Sequence, residues 1–351
     1  MPIFRAVAIA TLIASLPCAV TAQNATPRLG AGVQQSIDPL PRREPKVVVE
    51  EAVKPVAGET GKPAGKTGAC ETEGGQKAVE ACTKLLASTK DKARRVTLLT
   101  RRGELQHDLN AYAKARADFS EALRIEPQNA VTLAHRGWSY LETDEDQKAV
   151  ADFSASIKID PTLIQSYRGR GQAYYALQQC RDAIQDFNLA LLKLPPDADS
   201  FFKRGHCHYR SGALDAAVAD FTSALKVDPK YAPSYSNRGL VFMDRKQFAK
   251  AVEEFDAALR LEPNLDIAHY NKGVSYMHMK NFDGARLAMT RAIEIAPRNA
   301  EYYFRRAQTW RWLKNPEEAI NDARRAVELD PDSQLFKLGL QQFEADARRR
   351  V

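Results

Sequence analysis

Apolar side chains recur along most of this chain in blocks that repeat every 34 residues. Within a block, two stretches carry apolar residues every three or four positions, the spacing that places them on one face of an α-helix. A proline closes each block, because proline cannot continue a helix and disfavours helical geometry in the residue before it. These prolines are Pro127, Pro161, Pro195, Pro229, Pro263, Pro297 and Pro331. The pattern predicts seven units of two helices each.

Small residues mark the place where the two helices of a unit should cross. A glycine in a helix interior costs about 1 kcal/mol relative to alanine, so a close neighbour is expected at each one. An alanine follows twelve residues later, and a large apolar side chain four residues after that fills the gap between the helices. Asn129, Asn264 and Asn299 are predicted N-caps of the next first helix. The glycines are Gly103, Gly137, Gly171, Gly205, Gly239 and Gly273, and the large side chains are Phe119, Phe153, Phe187, Phe221, Phe255 and Met289.

The fifth unit shows the whole motif, with Tyr235, Gly239, Phe242, Ala251, Phe255, Ala258 and Pro263 in order. This motif resembles the tetratricopeptide repeat family, and the resemblance extends over seven units in residues 96–333. It implies an all-α fold, an α-solenoid that winds as a right-handed superhelix. Residues 70–95 are predicted to form a degenerate N-terminal half-repeat. Residues 334–351 are predicted to form a capping helix, with Leu335, Phe336, Leu340 and Phe343 on its apolar side.

The first residues predict export. Arg5 precedes an apolar run, residues 6–16, that is too short to span a bilayer, and small residues suited to cleavage end at Ala22. We therefore predict a signal peptide in residues 1–22 and a periplasmic or secreted protein. A lipoprotein at Cys18 is disfavoured, because Pro17 stands where a small residue is needed. Residues 23–69 are rich in proline, glycine and lysine, which predicts a disordered linker.

Four cysteines follow the predicted cleavage point. Cys70 and Cys82 bracket the half-repeat, and in an exported chain we predict a disulfide between them. Cys180 lies near the turn of one unit and Cys207 in the first helix of the next, so they are candidate neighbours, either bonded or free. Because no CxxC pair is present, a zinc site is not expected. No metal or other cofactor is predicted.

Charged residues also repeat. A base directly precedes each small position, at Arg102, Arg136, Arg170, Arg204, Arg238, Lys272 and Arg306, and an acid follows sixteen residues later at Asp118, Asp152, Asp186, Asp220, Glu254 and Asp322. We predict that each base pairs with the acid of its own unit. The chain has 51 basic and 44 acidic residues, a near balance that, without a base-stacking motif, argues against a nucleic-acid partner.

The family resemblance implies a binding surface on the concave face, which the first helix of each unit lines. A protein or an extended peptide is the implied partner. Asn237 and Asn271 occupy the place where family members bind a peptide backbone through asparagine, but they are equally compatible with ordinary solvated or turn-facing amides. Of the residue set that binds a C-terminal carboxylate, only Arg168 and Lys203 are present. The candidate residues are Trp138, Arg168, Tyr175, Phe202, His206, Tyr209, Asn237, Met243, Tyr270, Asn271, Met277, Phe304 and Trp312.

Catalytic motifs are absent from the sequence. Ser139 and Ser275 follow glycines by two residues but lack the second glycine of a nucleophile elbow. His206 and His208 would point to different sides of a helix, so they do not form a metal pair. We therefore predict a non-enzymatic, exported scaffold that binds a peptide or protein segment in its concave groove. The alternative is a structural assembly factor of an envelope or secretion complex, acting through oligomerisation or the solenoid edges. The oligomeric state stays open.

Overall fold

The computed structural model describes residues 68–349, so the predicted signal peptide and nearly all of the predicted linker lie outside it. Within this range the chain forms seventeen α-helices and no strand. None of these helices is long and apolar enough to cross a membrane. They are α1 Ala69–Thr72, α2 Gly75–Ser88, α3 Lys92–Asp108, α4 Tyr112–Ile125, α5 Ala130–Leu141, α6 Asp146–Ile159, α7 Ile164–Ala176, α8 Cys180–Lys193, α9 Ala198–Arg210, α10 Leu214–Val227, α11 Ala232–Asp244, α12 Phe248–Leu261, α13 Asp266–His278, α14 Phe282–Ile295, α15 Ala300–Trp312, α16 Pro316–Leu329 and α17 Gln334–Arg348.

Helices α3 to α16 form seven consecutive pairs. Each second helix packs on the first helix of its own pair and on the first helix of the next pair. Successive first helices also touch one another, more closely than successive second helices do. The stack therefore curves with the first helices on its inner side. This arrangement confirms the predicted α-solenoid.

The centre of each pair is packed as predicted. Phe119, Phe153, Phe187, Phe221 and Phe255 are fully buried, and so is Met289 at the equivalent place in the sixth pair. A Cβ atom added to Gly103 would lie 2.5 Å from Cε1 of Phe119. Close approach of the large side chain therefore requires glycine at Gly103, as expected from the sequence, whereas the nearest contact of an added Cβ at Gly171 is 3.3 Å and only tight.

The turn inside each pair was not anticipated. One residue there adopts a positive φ, and the next N–H bonds back to a carbonyl five residues earlier, for example Ala111 N to Gln106 O at 2.8 Å. This closure satisfies carbonyls at the helix end. Only one of the seven turns places a glycine at this position, so the usual sequence signal is missing. The residues are Asn110, Asp144, Gln178, Gly212, Lys246, Lys280 and Lys314.

Two of the three predicted N-caps are present. The Oδ1 atom of Asn129 accepts from Thr132 N at 2.9 Å, and Oδ1 of Asn299 accepts from Glu301 N at 3.1 Å. The prediction for Asn264 is wrong. Leu265 is the N-cap residue of α13, while the Asn264 side chain accepts from Arg291.

Additional helices cover both ends of the stack. At the start, Cys70 and Cys82 form the predicted disulfide, with sulfurs 2.09 Å apart, and both are buried against Leu98 and Leu99 of α3. At the end, Phe336 and Phe343 of α17 are buried on the last pair. Leu335 departs from the predicted apolar stripe, because 58% of its surface is exposed.

Candidate functional site: the inner face

All thirteen candidate residues lie on first helices, from α5 to α15. Eight of them nevertheless have less than a tenth of their surface exposed. These eight residues therefore do not form a continuous exposed groove, and a binding role for them stays a prediction. The buried eight are Phe202, His206, Tyr209, Asn237, Met243, Tyr270, Asn271 and Phe304.

Contacts between neighbouring helices explain this burial. The Phe202 ring lies 5.8 Å from Phe221 of its own pair and 5.4 Å from Tyr231, which precedes the next pair. Tyr270 of α13 stacks on Tyr302 of α15 with ring centroids 4.9 Å apart. The curvature brings successive first helices close enough to cover these rings. Their main contribution is therefore to hold adjacent pairs together.

The other five candidates keep accessible surface. Trp138, Arg168, Tyr175 and Met277 are partly exposed, and Trp312 is 61% exposed at the far end of the inner face. Trp312 stacks on Phe282 with ring centroids 5.4 Å apart and planes at 3°. Trp138, Arg168 and Tyr175 instead lie together on α5 and α7. We call these last three residues, with Asp197, Asp199 and Lys203, the α7–α9 site.

Arg168 is the distinctive residue of the α7–α9 site. Only 11% of its side chain is exposed, and its guanidinium carbon lies 5.9 Å from the ring centroid of Trp138. Its nearest carboxylate oxygen, Oδ2 of Asp197, is 3.9 Å from Nη1, and within the described chain its buried Nε has no hydrogen-bond partner. Burial lowers the pKa of Arg168, and the carboxylates of Asp197 and Asp199 counteract part of this effect. The group stays charged and has unused donors.

The neighbouring carboxylates are occupied by other groups. Asp197 Oδ1 caps α9 by accepting from Ser200 N at 2.7 Å. Asp199 forms an ion pair with Lys203 and accepts from Tyr231 Oη at 3.3 Å. Neither acid is therefore free to turn fully toward Arg168. The site combines an under-bonded cation with aromatic surface, which suits an anionic group attached to an apolar chain.

The two asparagines are buried amides with unmet hydrogen bonds. Asn237 Nδ2 donates to Pro233 O at 3.0 Å, but its Oδ1 has no partner within the described chain. Asn271 is 0% exposed, and neither of its amide atoms has a partner in that range. A buried unpaired amide costs roughly 1–3 kcal/mol. The alternative of solvated surface amides is therefore wrong for both, and their role in backbone binding stays a prediction.

His206 lies between aromatic rings below the inner surface. Its ring meets Tyr175 edge-on at 5.4 Å and stacks on Phe202 at 6.3 Å, and 3% of the residue is exposed. A ligand would reach Tyr175 before His206. Its predicted role as a direct contact is therefore less favoured than a supporting role under Tyr175.

The repeating bases are used inside the structure. Arg102 binds Asp118 through Nε and Nη2, each at 2.7 Å, and five further arginines bind the acid of their own pair in the same way or through one nitrogen. The prediction of pairing is confirmed for these six. It is wrong for Lys272, which binds Asp256 of the preceding pair, because Ala288 stands at the acidic position of its own pair.

These arginines also connect one helix pair to the preceding one, a contact that was not predicted from the sequence. Arg170 Nη1 donates to Ser154 Oγ at 3.2 Å, and Arg306 Nη1 donates to Thr290 Oγ1 at 3.1 Å. Both acceptors lie sixteen residues earlier, on the second helix of the preceding pair. The sequence feature that could have indicated this contact is a polar residue that recurs sixteen positions before five of the arginines. The basic series therefore stabilises the stack and leaves Arg168 as a separate, inward-facing cation.

No group of three or more histidine, cysteine, aspartate or glutamate side chains in residues 68–349 could hold a metal ion.

Comparison with known families identifies the repeats. Models described as tetratricopeptide repeat match residues 96–129, 168–233, 236–300 and 300–333, which together make up more than half of the chain. The chain therefore belongs to the tetratricopeptide repeat family. Residues 130–167 are not matched, although α5 and α6 pair there like the other helices. No curated protein sequence matches the chain.

Solved structures share the fold at low identity. The C-terminal part of a tetratricopeptide repeat protein from Cytophaga hutchinsonii is 18% identical, with a TM-score of 0.55, 69% of this chain covered and 99% of that chain. The pilF structure of Pseudomonas aeruginosa is 19% identical, with a TM-score of 0.51, and the match covers 62% of this chain and 97% of that chain. The APC/C hetero-tetramer Cut9–Hcn1 is 18% identical, with a TM-score of 0.52. The match covers 76% of this chain and 52% of that chain, so this chain spans about half the length of that one. These likenesses show the fold.

Proposed function

We propose that this chain is an exported scaffold that binds an extended peptide or protein segment on its inner face. Proteins of this architecture are repeat stacks whose curved surfaces are suited to docking a partner without refolding. The observation that carries the proposal is Arg168, a largely buried arginine with unused hydrogen-bond donors beside exposed aromatic surface. We infer that the bound segment places a carboxylate on Arg168 and an apolar side chain on Trp138 or Tyr175.

The energetics favour this arrangement. A carboxylate bound to an arginine forms charge-assisted hydrogen bonds, and removing one partner of such a pair costs about 1.5–3 kcal/mol. The desolvation of Arg168 occurs when the chain folds, so the ligand does not have to supply it. The inner helices are held by the buried aromatic contacts, which limits the ordering cost on binding.

The test uses random peptides displayed on phage and selected against the wild-type chain. We expect the selected peptides to share an acidic residue near an apolar one, and Arg168→Gln to weaken their binding about tenfold or more. Arg181→Gln is the matched control, because Arg181 is an exposed arginine on the second helix α8. Equal affinity of both variants for the selected peptides would overturn the role of Arg168.

Assembly through the end of the stack is the second candidate. Leu335 and Leu338 of α17 are 58% and 51% exposed and lie on one side of that helix. The chain is crosslinked in the bacterial envelope and the proteins bound to it are identified. If the Arg168→Gln variant retains all of these proteins while the double variant Leu335→Ser with Leu338→Ser loses them, the assembly function is favoured over peptide binding.

The location is also part of the proposal. The apolar run near the start of the sequence supports export to the periplasm or beyond. N-terminal sequencing of the protein recovered from a bacterial periplasmic fraction should begin at Gln23. Recovery of the uncleaved chain from the cytoplasmic fraction would contradict export.

A further inference from the structure

Cys180 and Cys207 lie in one side-chain cluster between two helix pairs. Cys180 is the first residue of α8 in the third pair, and Cys207 lies in α9 of the fourth pair. Both are free thiols, and Cys180 packs against the apolar cluster that contains Cys207. Cys207 is fully buried with Phe187 and Ala183, while Cys180 at the edge of this cluster is partly exposed. The Cys180 thiol is therefore accessible to solvent, and the Cys207 thiol is buried.

The surroundings favour reaction at Cys180. Cys180 is the first residue of α8, and a helix N-terminus stabilises a thiolate. Arg210 is fixed nearby, because its Nη1 donates to Gln178 Oε1 at 3.2 Å. The pKa of Cys180 is lowered by the hydrogen bond from Cys207, with a further contribution from Arg210. The pKa of Cys207 is raised by the same bond and by burial, so the two thiols differ in reactivity.

The repeat register shows that this pairing is specific to one junction. The residues equivalent to Cys180 and Cys207 at the next junction are Leu214 and Val241, which belong to or pack on the apolar core. At the preceding junction they are Asp146 and Ala173. Packing therefore does not require cysteine here, since leucine and valine stand at the same places in the next junction and aspartate and alanine in the preceding one.

We propose that Cys180 and Cys207 are an oxidisable thiol pair, a modification site that small disulfides such as oxidised glutathione convert to a bond between α8 and α9. The Cys180 thiolate attacks one sulfur of the oxidant, so that one glutathione leaves as its thiol and a mixed disulfide remains on Cys180. Cys207 then loses its proton and attacks Cys180, releasing the second glutathione. In balance, the two protein thiols give up two electrons and two protons, and the oxidant is reduced to two thiols.

The second step requires the two sulfur atoms to approach to bonding distance. A disulfide sulfur–sulfur distance is about 2.05 Å, shorter than a hydrogen-bonded contact, so the side chains must rotate toward each other. Both residues already face the same cluster. The resulting bond would fasten the third pair to the fourth, a junction that is also held by packing and by polar contacts such as Arg204 Nη1 to Asn188 Oδ1 at 2.8 Å and Arg210 Nη1 to Gln178 Oε1 at 3.2 Å.

The test treats the full chain with oxidised glutathione and locates each modification by peptide mapping under non-reducing conditions. We expect the wild type to lose two hydrogens and yield a peptide crosslinked between Cys180 and Cys207. Cys207→Ala should stop at the first step and retain one glutathione on Cys180. Cys180→Ala should react at least about tenfold more slowly, because Cys207 is buried.

Two results would overturn the proposal. One is a wild-type chain that keeps both thiols free in excess oxidant while Cys70 and Cys82 are found bonded, a measurement that needs no variant. The other is glutathione uptake by Cys180→Ala as fast as by Cys207→Ala, with both variants matching the wild type in helicity by circular dichroism. A higher unfolding temperature of the oxidised wild type, absent in Cys207→Ala treated in the same way, would support the bond between the pairs.

Discussion

His107 illustrates how one residue can carry a pH dependence that its sequence position does not reveal. It lies near the end of α3, its Nδ1 is 2.9 Å from Ser139 Oγ of the next pair, and its ring meets Tyr112 at 5.1 Å. Burial lowers its pKa from 6.5 to about 4, and His135 of α5 adds to the shift. His135 itself is paired with Glu104 at 3.1 Å. The folded chain therefore favours the neutral imidazole of His107.

The sign of the resulting pH effect follows directly. The unfolded chain takes up a proton near pH 6.5 and the folded chain only near pH 4, so stability falls as the pH drops through this window. The loss is on the order of 3 kcal/mol when complete. We expect urea unfolding midpoints to fall between pH 7 and pH 4.5, and His107→Gln to remove much of this dependence. An unchanged pH profile in His107→Gln would contradict the assignment.

At the scale of elements, the arginine series joins each helix pair internally and to its neighbour. Arg170 binds both oxygens of Asp186 at 2.8 and 2.9 Å and also reaches Ser154 of the preceding pair. The side chains of Arg170 and Asp186 are 20% and 6% exposed. This pair is more buried than a surface ion pair, so removing one partner leaves a charge without compensation. The contribution of about 0–1 kcal/mol that is usual for an exposed ion pair therefore does not apply to it.

We predict that Asp186→Ala lowers the free energy of unfolding by about 2–3 kcal/mol. The matched control is Glu328→Ala, which removes an ion pair with Arg325 whose side chains are 63% and 48% exposed, and which should change stability by less than about 0.5 kcal/mol. Chemical denaturation followed by circular dichroism measures both. Equal effects of the two substitutions would show that burial of the first pair contributes nothing.

At the scale of the whole molecule, the two ends of the stack are closed in different ways. The first pair is covered by two helices joined through the Cys70–Cys82 disulfide, and Arg101 Nε donates to Cys70 O at 3.3 Å. The last pair is covered by α17, whose Phe336 and Phe343 rings lie 4.9 and 6.2 Å from Phe304. Because each pair contacts only its neighbours, damage at one end should stay local.

We predict that Phe336→Ala destabilises the end of the stack by about 3 kcal/mol, because a buried ring is replaced by a cavity. Leu338→Ala, on the exposed side of the same helix, should change stability by less than about 0.5 kcal/mol. Hydrogen exchange should show faster exchange in α15 to α17 of Phe336→Ala and unchanged exchange in α3 to α8. Faster exchange throughout the chain would argue for a single cooperative unit instead.

Sequence reasoning predicted this fold well where one residue type has one physical use. Pro263 ends a helix in any context. The phenylalanine at the position of Phe255 recurs in five units, and at that position a large apolar side chain packs only in the interior of the helix pair. Reasoning was weaker where alternatives were close in energy. Asn264 resembles Asn129 and Asn299, yet Leu265 is the N-cap of α13 and the Asn264 side chain binds Arg291. The turn residue Lys246 adopts a positive φ, although positive φ is usually predicted from a glycine and none stands at this position.

The amino-acid sequence by itself determined the repeat, the helix pairs, six internal ion pairs and the Cys70–Cys82 bond, because these depend on spacing within a unit or between adjacent units. Only the tertiary structure decided which inner side chains a partner can touch. Phe202 and Trp138 are both aromatic and both lie on first helices, but the first is buried by its neighbours and the second keeps exposed surface. That difference depends on how closely successive pairs approach, and this distance is set by all the contacts across a junction rather than by any one residue.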